Sequence, residues 1–293
     1  MKLYLMHPKD LFRSEKFYEL VLNRPYLYEA KYDGVRCVSW FDGNQLKIAS
    51  YHPELEMYSR NGRLLSNISE LFKDRLVIPK GYAFDGELFL KDIRTTMSII
   101  LSKLPMRTPN YYVFDIIPIE TVLHGKVYNV PYEERKANLL KYIPKCDNDK
   151  VFFINSKKPK FYKKEDVDQL IDSYINQGYE GVVFKLSESP YIPKRSLYWL
   201  KGKKIFTLDL KVIGIIPSKE HPGQIQAIVC KLGNKEQPVG SGLTLKQRIE
   251  WFKNPSKIIG KIVEVKFAEY TEKGYLRQPT FVRIRTDKTI PDR

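Results

Sequence analysis

Two apolar runs, residues 26–28 and 35–41, bracket the stretch Glu29-Ala30-Lys31-Tyr32-Asp33-Gly34. The pattern predicts a strand, a tight Asp-Gly turn and a second strand. Lys31 then sits at a strand end, with Glu29 two residues before it and Arg36 five after. Apolar runs at 46–51, 82–90 and 111–117 predict further strands, the last closed by Pro118. Helices are expected within 11–22, 67–73 and 95–104, from Pro131 to about 142, and over 165–177, which Gly178 stops. A short strand at 180–185 carries Glu180 and Lys185 at its ends, and a basic strand follows at 198–204.

From about residue 205 the character changes. Strand-like runs lie at 208–216, 224–231, 261–267 and 281–285, with one helix at 244–252 that Thr244 caps. Four such runs and one helix in about 90 residues suit an OB β-barrel, an architecture of five short strands. The expected domains are 1–204 and 205–293, joined without a Gly/Ser linker. No internal repeat or low-complexity tract interrupts them.

Charge narrows the function classes. Lys+Arg is 50 against 34 Asp+Glu, a formal charge of +16 with a pI near 9.5. Residues 205–293 carry +7 and the first 204 carry +9, so the tail is about twice as basic per residue. A polyanionic partner is indicated, nucleic acid first, and small basic barrels commonly track a nucleic-acid backbone. With 43% hydrophobic residues the chain is globular and not disordered. Cys37, Cys146 and Cys230 are far apart and form no Cys-x-x-Cys pair. That excludes a disulfide scaffold, speaks against structural zinc and fits a reducing cytoplasm. No apolar run approaches the ~20 residues of a spanning helix.

The candidate chemistry has an ordinary alternative at each position. Lys31 reads as a surface turn lysine or as a nucleophile. A nucleophile must be neutral, and an ordinary pKa of about 10.4 leaves roughly one lysine in two thousand uncharged at pH 7. Burial or nearby cations would have to shift it. Arg60, in the turn 58–62, is a plain Asn-Gly turn residue or a phosphate or ribose contact. Glu87 interrupts a buried-looking strand, which is costly unless the acid is paired or faces a ligand. It is a ribose or metal contact, or marks a strand end at the surface. Phe114 beside Asp115 stacks on a flat base or is simply core. Lys201 and Lys203, two apart, share a strand face. They repel unless an anion such as a triphosphate lies between them; the alternative is a basic strand that binds only counterions.

Read in order, these pieces form a series. It comprises Lys31-Tyr32-Asp33-Gly34-Val35-Arg36, Ser59-Arg60-Asn61-Gly62, Asp85-Gly86-Glu87, Phe114-Asp115, Glu180-Gly181-Val182-Val183-Phe184-Lys185, Lys201-Gly202-Lys203, and Arg285-Thr286-Asp287-Lys288. Each is weak alone; together and in this order they resemble the ATP-dependent DNA ligases of the covalent nucleotidyltransferase superfamily. The resemblance is to the compact two-domain form carried by phages and viruses. It implies an α+β fold, with a nucleotidyltransferase (adenylation) domain of antiparallel sheets and flanking helices, followed by a small OB-fold β-barrel.

The resemblance also implies roles. Lys31 would attack the α-phosphate of ATP. Glu29 would contact the adenine amino group, and Phe114 would stack on the ring. Arg36, Arg60 and Glu87 would hold ribose and phosphate. Lys185, Lys201 and Lys203 would sit on the α-phosphate and help depress the pKa of Lys31. Arg285 and Lys288 would reach the β and γ phosphates, with Asp287 orienting the leaving pyrophosphate. Glu180 and Glu87 would bind Mg²⁺, with Mn²⁺ as the alternative ion. The partner would be nicked double-stranded DNA, the setting cytoplasmic (a host cytoplasm for a phage or virus), the chain a monomer with no membrane association.

Three departures from the family pattern stand out. Gly202 replaces a bulkier residue, Phe184 is large for its place before Lys185, and Lys204 is a third candidate for the lysine pair. No long insertion in the second domain reads as a DNA-encircling latch, so grip is expected to rest on the basic surface. An RNA ligase or an mRNA-capping guanylyltransferase shares the lysine box, but the lead-in Arg277-Gln278-Pro279-Thr280-Phe281 favours a DNA ligase. A non-catalytic OB-fold nucleic-acid-binding protein explains the charge but not the acids and lysines at strand mouths.

Overall fold

The computed structural model describes residues 1–11, 15–41, 54–203 and 206–292. The strand expected at 46–51 lies outside the described residues. The chain divides into two compact units, Met1–Lys203 and Lys204–Arg293.

The first unit runs β1 (His7–Asp10), α1 (Glu15–Asn23), β2 (Tyr26–Lys31), β3 (Val35–Phe41), β4 (Leu55–Ser59), α2 (Ser66–Phe72), β5 (Tyr82–Phe89), α3 (Ile93–Leu101) and β6 (Asn110–Pro118). It continues with α4 (Ile119–His124), α5 (Tyr132–Leu139), β7 (Val151–Phe153), α6 (Lys164–Asn176), β8 (Gly181–Leu186) and β9 (Arg195–Lys203). Its strands form two sheets, ordered β1-β9-β8-β2 and β4-β3-β5-β6-β7.

This order overturns the opening hairpin. β2 pairs with β8, and β3 lies between β4 and β5 in the other sheet. The Asp-Gly stretch is a crossover between sheets. Its flanking strands find longer partners elsewhere, and those ladders outweigh the local turn preference. Gly34 is needed for close approach: a Cβ there would lie 2.3 Å from the Leu88 carbonyl oxygen and 2.9 Å from Glu87 Cγ.

Strand alternation then sorts the first sheet. Tyr26, Val182, Phe184, Leu186 and Leu200 pack with Tyr18 and Val21 of α1 and Val167 and Ile171 of α6. The opposite face carries the partners in register: Glu29 and Lys31 of β2, Val183 and Lys185 of β8, and Trp199, Lys201 and Lys203 of β9. The two unusual residues belong to the core side. Phe184 is fully buried there. A Cβ on Gly202 would lie 2.4 Å from Ile171 Cδ1, so α6 occupies the space a larger residue would need.

In the second sheet, Cys37, Phe84, Leu88, Tyr111 and Val113 pack against Ile68 and Phe72 of α2 and Ile99 and Ile100 of α3. Val38, Trp40, Ala83 and Ile117 pack with Met6, Tyr191 and Trp199. Along β5 and β6, Asp85 faces Asp115 but Gly86 faces Val113. Phe114 is therefore the extra residue of a bulge, a device that re-aims a side chain.

The second unit runs β10 (Phe206–Pro217), β11 (Ile225–Leu232), β12 (Lys235–Val239), α7 (Leu245–Lys253), β13 (Ile262–Phe267) and β14 (Thr280–Ile284). Its sheet order is β12-β11-β10-β13-β14, antiparallel throughout, around Leu210, Ile228, Cys230, Trp251, Val263 and Val265. Thr244 caps α7 within a reciprocal capping box. In this unit sequence patterning did not locate β12, where Lys235, Glu236 and Pro238 obscure the inward Gln237 and Val239; in the first unit it did not locate β1, β4 or β7. The barrel is not closed by a ladder: among the described residues its edges meet at the single bridge Ser241↔Thr280. Pro238 on the edge strand has no N–H to extend one.

Cys37, Cys146 and Cys230 are free and buried. Among the described residues no helix is long and apolar enough to cross a membrane.

Gly202→Val is expected to cost about 1–3 kcal/mol by overpacking, read as a lower urea midpoint. Adding Ile171→Ala should return part of that loss. A double variant whose loss equals the sum of the singles would place the strain elsewhere.

Candidate active site

A cleft of about 610 Å³ opens between the polar face of the first sheet and the second sheet, and Glu29, Lys31, Arg36, Arg60, Glu87, Phe114, Glu180, Lys185 and Lys201 all line it. Nine of the sequence-derived candidates thus meet in one place.

At one side, Lys31 Nζ donates to Glu180 Oε2, and Lys203 Nζ donates to Glu180 Oε1 at 3.0 Å. Burial pushes the Glu180 carboxyl up, but Lys31 and Lys203 outweigh it and hold the group below the ordinary carboxylate range. Lys201 shares this face without pairing to Glu180; burial, then repulsion from Lys203, lowers its pKa. The register puts Lys201 and Lys203 on one face of β9. Lys204 lies outside the described residues.

Across the cleft, Glu87 on β5 stands opposite Arg36 on β3. Its carboxyl is raised to about 7 by burial, with Lys31 and Arg36 opposing the shift and Glu180 and Asp85 reinforcing it. Arg36 itself is committed elsewhere. Its guanidinium makes a two-pronged pair with the fully buried Asp85 at 2.9 and 2.6 Å and donates to the Met6 carbonyl at 2.7 Å. It stands 5.6 Å from the Phe114 ring and 5.7 Å from that of Trp199. Arg60 is exposed in the Ser59–Gly62 turn, closed by a 2.8 Å hydrogen bond from Gly62 N to the Ser59 carbonyl. Beside it, His7 is held neutral: burial, then Arg36 and Arg60, lowers its pKa to about 4.

The aromatic end is built around Glu29, which is almost fully buried. Its carboxylate accepts from Tyr132, from Ser156 at 2.6 Å, and from Lys136 and Lys185 at 2.8 and 2.6 Å. Burial pushes Glu29 up, but the two lysines dominate and hold it at about 2. Lys185 Nζ also lies 4.3 Å from the Phe114 ring and 4.4 Å from that of Trp199. It is engaged at this aromatic end, whereas the resemblance would put it on the α-phosphate. Phe114, half-buried on its bulge, meets Trp199 edge-on at 5.9 Å.

Sequence reasoning missed Lys136, Tyr132, Ser156 and Trp199. The signal lay in α5: Tyr132, Arg135 and Lys136 fall at i, i+3 and i+4, so two cations occupy the face that turns inward. Arg135 makes a buried two-pronged pair with Asp115, both contacts at 2.9 Å.

Arg285 and Lys288 belong to the second unit. Both donate to Asp209 Oδ2 at 2.7 Å; Arg285 also pairs with Asp287, and Lys288 with Asp292.

Among the described residues no cluster of three His, Cys, Asp or Glu could hold a metal ion unaided. Glu87 and Glu180 nevertheless suit Mg²⁺, which typically takes one or two carboxylates and completes its shell with water and substrate phosphates. The Glu87 carboxylate has no hydrogen bond or ion pair among the described residues and is available.

Two family profiles match this chain. The profile of the ATP dependent DNA ligase domain matches residues 11–203, and that of the DNA ligase OB-like domain matches residues 218–285. The chain belongs to the ATP-dependent DNA ligase family. It is 27% identical to the DNA ligase of Archaeoglobus fulgidus, over 87% of this chain and 52% of that protein. It is 24% identical to the DNA ligase of Enterobacteria phage T4, over 90% of this chain and 65% of that protein. The chain thus spans between half and two thirds of the length of these relatives. In fold it is similar to a solved Lig E DNA ligase, with a TM-score of 0.71 and 19% identity, covering 96% of this chain and 98% of that one. The ATP-dependent DNA ligase of bacteriophage T7, solved with ATP, gives a TM-score of 0.54 and 19% identity, covering 96% and 98%.

Because the folded Glu29 titrates near 2 against an ordinary 4.5, its stabilisation is present above pH 4.5 and is lost as pH falls towards 2. The amount is about 3 kcal/mol. Glu29→Gln should therefore lower stability at pH 7 by about 3–5 kcal/mol, since two buried lysines lose their anion. It should also flatten the acid limb, measured as denaturant midpoints between pH 5 and pH 3. An unchanged limb would contradict the network.

Proposed function

We propose that the chain is an ATP-dependent DNA ligase that seals 5′-phosphate/3′-hydroxyl nicks in duplex DNA. The observation that carries this reading is the position of Lys31: at a strand end, inside the cleft, with its Nζ on Glu180. Around it stand Glu87, Lys201 and Lys203.

Lys31 Nζ attacks the α-phosphorus of ATP, forming a P–N bond as the bond to the pyrophosphate oxygen breaks. Attack requires the neutral amine, so Lys31 passes its proton to solvent water and releases Glu180 on the way. Phe114 offers a flat apolar surface for adenine on the bulge of β6. Lys201 and Lys203 take up phosphate charge on one face of β9. Arg60 and His7 lie along the same cleft and extend its polar wall. Arg285 and Lys288 serve the β and γ phosphates. A divalent ion, held by Glu87 and Glu180 with phosphate oxygens, would neutralise charge on the departing pyrophosphate. The AMP then passes to the 5′-phosphate at a nick, and the neighbouring 3′-hydroxyl attacks that phosphate and expels AMP.

With α-labelled ATP and Mg²⁺, wild-type protein is expected to gain a covalent label that chases onto nicked duplex DNA. Lys31→Ala and Lys31→Arg should lose the label by about 1,000-fold or more. Uptake of label by Lys31→Ala, or labelling from GTP in place of ATP, sinks the assignment. Nicked RNA accepted in preference to nicked DNA would reassign the substrate.

The basic balance generates a second expectation. With grip resting on phosphate contacts, affinity for a nicked duplex should fall by about tenfold or more between 50 and 200 mM salt. Affinity that barely changes over that range would mean that apolar contacts hold the DNA.

A further inference from the structure

Within the second unit, Asp209 near the start of β10 is almost fully buried. One of its oxygens, Oδ2, accepts from both Arg285 Nη1 and Lys288 Nζ, each at 2.7 Å. Its other oxygen, Oδ1, is buried with no hydrogen-bond partner among the described residues. The backbone is tied at the same place: Asp209 N donates to Asp292 Oδ2 at 2.7 Å, and Asp292 N donates to the Asp209 carbonyl at 2.8 Å.

Stability alone does not account for this carboxylate. A buried ionised group with one dry oxygen carries a desolvation cost that a neutral side chain avoids. The other two acids differ in kind. Asp287 pairs side by side with Arg285 at 62% exposure, and Asp292 meets Lys288 at 38% exposure. Exposed pairs of that sort are weak and exchange readily with another anion. The buried one does not exchange, and by drawing two cations to a single oxygen atom it sets their spacing.

We propose that Asp209 is the positioning residue for Arg285 and Lys288, holding the two cations together so that they engage one anionic group, the polyphosphate end of ATP. The inference rests on the assignment of those two residues under the proposed function. Asp287 and Asp292 give way to the phosphates, while Asp209 stays in place beneath them. Since the polyphosphate leaves in the first step, Asp209 matters for loading AMP and not for the final sealing of an already adenylated nick.

Asp209→Asn tests this in two assays on the full chain. Self-adenylation from ATP is expected to slow by about 10- to 100-fold, the range for displaced catalytic groups. Sealing of a pre-adenylated nicked duplex should stay within about twofold of wild type. The thermal unfolding temperature should fall, because Arg285 and Lys288 lose a charged partner, so the split between the two assays carries the test. Equal loss in both assays would show a purely structural carboxylate and overturn the inference. Wild-type adenylation at full rate in Asp209→Asn would also overturn the inference. A wild-type protein inactive in both assays would instead defeat the ligase reading itself. Asp209→Glu, which keeps the charge, should recover part of the adenylation rate; a variant no better than Asn would argue against charge-based positioning.

Discussion

Lys31 and Glu180 are joined twice, by a 2.8 Å hydrogen bond from Glu180 N to the Lys31 carbonyl and by the ion pair between their side chains. Through the same carboxylate, Lys203 is drawn in at 3.0 Å. The ends of three neighbouring strands therefore converge on one acid. The opposite face of these strands is core, where Phe184 and Leu200 pack on α6. A shift of that helix is transmitted directly to the charged cluster, because a strand presents successive side chains to alternate faces and cannot move one face alone. On the core side of β9, Ile171 lies against Gly202, so that strand has no room to move towards α6.

The cleft separates charges that are spoken for from charges that are not. Arg36 with Asp85, Arg135 with Asp115, and Glu29 with Lys136 and Lys185 are buried and mutually satisfied. Such pairs offer little net stability over apolar packing, but losing one partner is severe, so they make rigid walls. Glu87 and Lys201 face the same space with less complete compensation, and their pKa shifts are led by burial. A ligand carrying phosphate and a divalent ion would relieve both, which is the usual state of affairs where a site is prepared for charge it does not yet hold.

Much of this was legible in the residue pattern. The spacing of Lys201 and Lys203 placed them on one strand face, and the acid at Glu87 stood out because it interrupts an apolar run. What was illegible was long-range pairing. Lys136 lies on a helix whose cationic residues look like a solvated face until Glu29, over a hundred positions earlier, arrives beneath it. Asp209 reads as one more acid in a strand, and its partners lie some 76 and 79 residues away. The β12 strand was hidden by a proline and charges that an edge position tolerates.

The misjudged hairpin has chemical consequences. Had Lys31 and Arg36 lain on paired strands, the amine and the arginine would share one sheet and move together. Instead the chain leaves one sheet after Lys31 and enters the other at Val35, so the amine and Glu87 stand on separate sheets. The short link between them is braced from both sides. Tyr32 stacks on Tyr112 of the second sheet at 4.0 Å and meets Tyr179, next to Glu180, edge-on at 5.2 Å. Gly34 lies so close to Leu88 and Glu87 that no side chain fits. An aromatic wedge and a bare backbone position together fix how far apart the sheets stand at this point. The gap between the Lys31 amine and the Glu87 carboxylate is thereby a property of packing.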